Sequence, residues 1–289
     1  MEIPQQLNLR KYRDFGQLIT DTFLFIKQEN KLLLRVILTY VGPFVLITAF
    51  SGAWMQTGMF KSMDFKNTSD PFMVFRNLGF KYAIYMIATL ISSTMMMCTL
   101  YSYMYLYSKK GKDGFLQEDV WEMVKVKFFP VLGLLLLVGI IVFFGFILCI
   151  IPGVYLAVTF ALVIASSVFE DLSAGESIQR SMFLIKEDWW FALGISFVMS
   201  LISGFLGMIF LAPSSIMSMF LMINNIRGES SQTVSMIYLI LTAIGTFCAS
   251  ILYGIPHITM SMFYFSQVEK KESPNLINKI EQINRPEAD

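Results

Sequence analysis

A single histidine, His257, serves a chain of 289 residues. That scarcity removes the common routes to metal and base chemistry. A metal centre needs several His, Cys or carboxylate ligands converging, and an activated nucleophile needs a base within hydrogen-bond reach. Cysteine is nearly as scarce. Cys98, Cys149 and Cys248 each lie inside an apolar run, with no CxxC or ligand-like spacing. They read as small buried hydrophobes rather than disulfide or metal positions. Charge is thin as well: 15% of residues, against roughly 25% in soluble domains, too little to clothe a soluble surface. A net charge of +1 without a basic patch excludes nucleic acid as a partner. The first 31 residues lack an apolar core followed by a small-residue cleavage site, so no removable signal peptide is expected. No GxSxG, HExxH or P-loop pattern occurs, and no cofactor is expected.

What the chain has in quantity is apolar sequence. Hydrophobic residues make up 55%, with 27 Phe and 20 Met, types that suit lipid contact and soft helix packing. They fall in runs long enough, or nearly so, to cross about 30 Å of hydrocarbon. The runs are Leu32 to Trp54, with a kink expected at Gly42-Pro43; Lys81 to Tyr107; Val131 to Ile151; Val154 to Phe169; Trp189 to Leu211; and Val234 to Phe265, interrupted at Gly254-Ile255-Pro256. Only Pro152-Gly153 separates the third from the fourth. One helix through both would be about 58 Å long, so the pair predicts a tight helical hairpin turning at Pro152 and Gly153.

The fold class that follows is an all-α integral membrane protein of about six transmembrane helices. Three segments are expected: residues 1–31 as a cytoplasmic N-terminal segment with an amphipathic helix, 32–266 as the transmembrane domain, and 267–289 as a polar cytoplasmic tail. Lys and Arg set the orientation. Sixteen of them fall before helix 1, in the helix 2–3 and 4–5 loops, and in the tail; five fall on the opposite side. Both termini are therefore expected in the cytoplasm. Tyr101, Tyr103, Tyr105 and Tyr107 are read as an aromatic belt at that face.

Three stretches before membrane runs carry apolar stripes: residues 14–30 through Phe15, Leu18, Ile19, Thr22, Phe23 and Ile26; residues 115–129 through Leu116, Val120, Met123 and Val124; and residues 173–188 through Ala174, Ile178, Met182 and Ile185. They are expected as cytoplasmic amphipathic helices preceding helical hairpins. Ser173 and Glu176 form a capping box for the third. Laid over one another, the three suggest a repeated unit of interfacial helix plus hairpin. The loop from Met55 to Phe80 is expected on the outer membrane surface and contains the sequon-like Asn67-Thr68-Ser69. Ser273-Pro274 is read as the start of a short helix in an otherwise mobile tail.

Two features carry ionisable groups of interest. His257, beside Pro256, reads as a helix-packing or interfacial residue, with a pore-lining or proton-sensing role as the functional alternative. Glu170-Asp171 reads as a solvated helix end pairing with Arg180 or Lys186. The alternative is a carboxylate pair that binds a cation or acts as acid and base.

The stretch from Ile151-Pro152-Gly153-Val154-Tyr155-Leu156 through Glu170-Asp171-Leu172-Ser173 to Glu176-Ser177-Ile178-Gln179-Arg180-Ser181 and Lys186-Glu187-Asp188-Trp189-Trp190 resembles a bacterial family. It is similar to the membrane domain of glycerophosphoryl diester phosphodiesterases and its stand-alone relatives, over about residues 115 to 210. The resemblance implies an all-helical protein of the bacterial cytoplasmic membrane, and marks Pro152, Gly153, Glu170, Asp171, Arg180 and Ser181 as interaction or structural positions. It does not imply phosphodiesterase activity, because the full enzymes carry a soluble metal-dependent barrel rich in His and acidic residues.

The function expected on these grounds is a non-enzymatic scaffold or anchoring subunit. Its partners would be the lipid bilayer and other proteins of a membrane complex. A transporter or lipid-handling protein is the alternative. An intramembrane enzyme is a third and weaker reading.

Overall fold

The computed structural model describes residues 7–62, 71–227 and 232–273. Among them the only regular structure is helical, with no strand. Six segments are long and apolar enough, by length and composition, to cross a membrane: Phe15–Gln56, Gly79–Lys110, Gln117–Leu148, Ile150–Glu170, Trp189–Ile223 and Thr233–Glu272. The outer-loop sequon at Asn67 and the tail beyond Ser273 lie outside the described residues.

Helix α1 (Phe15–Val36) does not stop before the membrane run. No Gly or Pro interrupts residues 17–41, so α1 continues through a π-helical stretch, Ile37–Val41, into α2 (Gly42–Ser62). The Gly42 N–H bonds the Ile37 carbonyl five residues back. Pro43 has no N–H to give, and a widened turn accommodates the missing bond. The buried stripe of α1 runs Leu18, Thr22, Phe25, Glu29, Leu33 and Val36, while Phe23 is exposed. The predicted stripe thus drifts by its last turn, because Phe25 meets the rings of Tyr103 and Tyr107 edge-on and Glu29 accepts a hydrogen bond from the Tyr103 hydroxyl at 2.7 Å.

Those tyrosines lie on α3 (Pro71–Lys110). Tyr101, Tyr103 and Tyr107 are buried, so they are core and not an aromatic belt. Helix α4 (Gln117–Leu148) joins the second predicted amphipathic stretch to its membrane run in one element that passes through Pro130. A proline fixes a helical φ, so it can delete one bond without ending the helix when its neighbours favour helix.

The hairpin turns at Cys149, which is extended (φ −172°), and not at Pro152-Gly153. Pro152 and Gly153 sit in the first turn of α5 (Ile150–Thr159), where a helix N-terminus has no use for a proline N–H. Gly153 is required by packing: a Cβ there would fall 2.5 Å from the Phe146 ring. The fourth apolar run also breaks at residues 160–162, so α5 is followed by a separate α6 (Val163–Glu170). Only the third amphipathic segment forms a helix of its own, α7 (Ala174–Ile185), separated by a short turn from α8 (Trp189–Arg227). One segment of three keeps the predicted division. The last two helices, α9 (Gln232–Leu252) and α10 (Ile255–Glu272), break at Tyr253-Gly254, one residue earlier than expected, and Ile255 and Pro256 open α10. Helix α10 runs six residues beyond the predicted start of the tail.

The contacts divide the chain into two units: Met1–Arg35, Met97–Met199 and Ile255–Asp289 form the first, and Val36–Met96 with Ser200–Gly254 the second. The second is built on small residues. A Cβ at Gly245 would fall 2.5 Å from the Phe210 carbonyl oxygen, Gly207 faces Ala249 and Tyr253, Gly52 lies under the Tyr85 ring, and Thr48 bonds the Ala88 carbonyl at 3.0 Å. Close approach through small residues is how apolar helices associate without a hydrophobic drive. In the first unit, Gly194 admits the Phe15 ring in the same way. These positions serve contacts within the chain.

Candidate functional site

A cluster of ionised groups in the first unit lies where α6, α7, the α7–α8 turn and the end of α10 meet. Arg180 of α7 is the hub. Its Nε donates to Glu170 at 2.9 Å, and its two terminal nitrogens embrace the Glu272 carboxylate, one bond measuring 3.0 Å. Glu170 also accepts from the Tyr264 hydroxyl. Two residues away, Lys270 reaches both Asp188 oxygens at 2.7 and 2.8 Å. Lys271 donates to the Phe183 carbonyl at 2.7 Å and lies 5.0 Å above the Phe183 ring. Glu272, then Glu170, hold the Arg180 guanidinium above its ordinary pKa despite its partial burial. Charge-assisted, bidentate contacts of this kind fix orientation as well as supply energy.

The sequence-adjacent carboxylates Glu170 and Asp171 diverge. Asp171 ends α6 in the left-handed conformation (φ 57°), which short polar side chains tolerate. It turns to Lys127 of α4, and the hydrogen bond from Lys127 depresses its pKa below the usual carboxylate range. The two acids therefore face different cations and do not form a pair for acid–base chemistry. Lys186, the other expected partner, is replaced in that role by Lys127.

Ser181 closes the break between α5 and α6. Its hydroxyl donates to the Thr159 carbonyl at 2.7 Å and accepts from the Leu162 N–H at 3.2 Å, so one side chain satisfies an orphan group at each helix end. Behind it, Leu134, Phe160 and Val163 form an apolar cluster that Ile178 of α7 covers. The Glu176 carboxylate accepts from both the backbone N–H and the hydroxyl of Ser173, at 3.0 and 2.6 Å, and these bonds lower its pKa. His257 lies in the first turn of α10, half-buried, its ring 6.2 Å from that of Tyr101. Pro152 and Gly153 lie in α5 and take no part in the ionic junction.

The sequence offered Arg180 as a partner for Glu170 but not the residues that complete the junction. Glu272 and Lys270 lay in a segment read as tail. Arg13 was counted only as a cytoplasmic charge. It is buried, donates to the carbonyls of Leu9 at 2.7 Å and Asn8 at 2.5 Å, and pairs with Asp21 at 2.8 Å. Its own N–H bonds Ser266 of α10 at 2.9 Å. Burial lowers its pKa, and Asp21 opposes that shift. Among the described residues no group of three or more His, Cys, Asp and Glu is placed to hold a metal ion. No family model, no curated protein and no solved structure matches the chain.

Proposed function

We propose that the chain is a non-enzymatic, multi-pass subunit of the bacterial cytoplasmic membrane that anchors or scaffolds other proteins, with both termini cytoplasmic. The observation that carries this reading is the commitment of the ionised groups at the junction. Glu170, Asp171, Arg180, Asp188, Lys270 and Glu272 each join one helix to another. Groups used for catalysis or ligand capture ordinarily keep some bonding capacity to spare. Here Glu170, Arg180 and Glu272 line an open groove beside Gln179 and Phe183, but they spend their capacity on one another. The result is a charged helix junction, which suits a surface that positions partners. The 16-to-5 distribution of Lys and Arg supports the orientation, and the resemblance in residues 115–210 supports the bacterial membrane setting.

Photo-crosslinking in intact cells from Gln179 and Glu187, on the exposed side of the junction, tests the reading. A specific protein adduct, abolished when Arg180 is replaced, is expected. Adducts to lipid alone would favour a lipid-handling role instead. That alternative draws on the exposed apolar side chains of α4, such as Phe143, Phe144 and Ile147. An assay of the pure protein on glycerophosphodiesters is expected to show no hydrolysis, and hydrolysis that survives His257→Ala would overturn the non-enzymatic reading.

A further inference from the structure

We propose that the α4–α5 hairpin does not cross the bilayer but lies within one leaflet, entering and leaving at the face that carries the Arg180 junction. Its partner is the acyl-chain region of that leaflet. Length and apolarity alone would make both arms spanning helices; three observations within the first unit argue otherwise.

First, the hairpin tip has nothing to offer a headgroup region. From Phe128 to Phe169 there is no charged residue and no Asn, Gln or His, and the turn itself reads Ile147-Leu148-Cys149-Ile150-Ile151, all exposed. A turn that emerged on the far side would place these side chains among phosphates and water. Part of the turn's backbone is satisfied internally, as hydrocarbon requires. Cys149 N–H bonds the Gly145 carbonyl at 3.1 Å and Gly153 N–H bonds the Cys149 carbonyl at 3.3 Å. Pro152, in the first turn of α5, has no N–H to satisfy.

Second, the far end of α5 is tied to the charged face. Thr159 bonds Ser181, the neighbour of Arg180, at 2.7 Å. Third, the middle of α5 is at that face as well. The Tyr155 and Trp189 rings stack with centroids 5.7 Å apart, and the Trp189 N–H lies 3.4 Å from the Tyr155 carbonyl. Trp189 opens α8 directly after Asp188, which pairs with Lys270.

These tethers limit how deep the tip can go. Cys149 is ten residues from Thr159 and six from Tyr155, or ~15 and ~9 Å of helix. Adding the tether distances leaves the tip within about 20 Å of the junction's level, short of the ~30 Å of hydrocarbon. Helix α4 must cover ~33 Å between Lys127, held by Asp171, and that tip. It therefore lies more than ~50° from the membrane normal, outside the 0–40° of ordinary spanning helices. Four helical crossings remain, an even number, so the placement of both termini on one side is unchanged.

Cys149 is a native probe. A nitroxide attached to it, in a Cys98→Ala, Cys248→Ala protein reconstituted in vesicles, reports depth by its collisions with a membrane-impermeant nickel chelate on either side. Ile150→Cys in a Cys149→Ala background repeats the measurement should the first labelled protein misassemble. The expected nitroxide lies in hydrocarbon within about 20 Å of the face that exposes a Lys112→Cys control. A nitroxide at headgroup depth on the opposite face, or reaction of Cys149 with an impermeant maleimide added there, would overturn the proposal.

Discussion

Ser181 donates a hydrogen bond to the Thr159 carbonyl at 2.7 Å while receiving one from Leu162, and so bridges the two ends of a helix break from a neighbouring helix. Both backbone groups are buried and neither has a helical partner at the break. Ser181→Ala is expected to destabilise the protein by about 1–3 kcal/mol, the cost of stranding buried polar groups. Ser181→Cys, with weaker bonds at the same place, is expected to fall between. Equilibrium unfolding in mild detergent measures both; an unaffected Ser181→Ala would show that the α5–α6 break is held by the apolar cluster alone.

The Arg180 hub yields an expectation about order as much as stability. Glu272→Gln removes one of two carboxylates, and because the pair is partly exposed the loss is expected to be below about 1 kcal/mol. The last turn of α10 should nonetheless exchange its amide hydrogens faster than in the parent. Arg180→Ala frees both carboxylates and should have the larger effect. A swap, Arg180→Glu with Glu272→Arg, leaves Glu170 facing a like charge and should restore only part of the protection. Full restoration would mean that Glu170 contributes nothing.

Glycines in the hairpin separate packing from propensity. At Gly153 a new Cβ meets the Phe146 ring at 2.5 Å, whereas Gly133 and Gly139 have nothing within 4 Å. Gly153→Ala is expected to cost about 1–3 kcal/mol by overpacking, with relief in a Phe146→Leu background. Gly133→Ala and Gly139→Ala are expected to be neutral or stabilising, by up to about 1 kcal/mol of helix propensity. Thermal unfolding of the four variants checks the contrast.

The cap of α7 should loosen only in acid. Its hydrogen bonds from Ser173 depress the pKa of Glu176. A carboxylate whose folded pKa is depressed contributes stability that is present above its unfolded value and lost as pH falls through the folded one. Glu176 is therefore expected to add no pH dependence to unfolding between pH 6 and 9, with the Glu176→Gln difference shrinking below the ordinary glutamate range. Ser173→Ala should cost about 1 kcal/mol at neutral pH.

The helical class was legible because charge-free apolar runs of membrane length leave few other folds. The boundaries were less so. Pro152-Gly153 is a turn signal in isolation, but proline is equally at home in the first turn of a helix, and the preceding residue Cys149 took the extended conformation instead. The stretch before Leu32 contains no Gly or Pro after Gly16, and the one before Val131 contains only Pro130, which α4 absorbs, so amphipathic and apolar segments fused. In the junction, Arg180 was one of two nearby cations, with Lys186, that the sequence offered the acidic end of α6. Glu272, 92 residues beyond Arg180, could be found only once α10 was seen to run antiparallel to α8, with Phe263 on Phe191 and Lys270 on Asp188.

The claim that this chain works as a subunit is tested most directly by its mass when extracted gently from native membranes into nanodiscs. A defined complex heavier than the 33.0 kDa chain is expected, holding a specific companion protein that is lost with Arg180→Ala while the chain itself remains folded. A monodisperse 33.0 kDa monomer with bound lipid and no companion, obtained from intact and crosslinked cells alike, would contradict it.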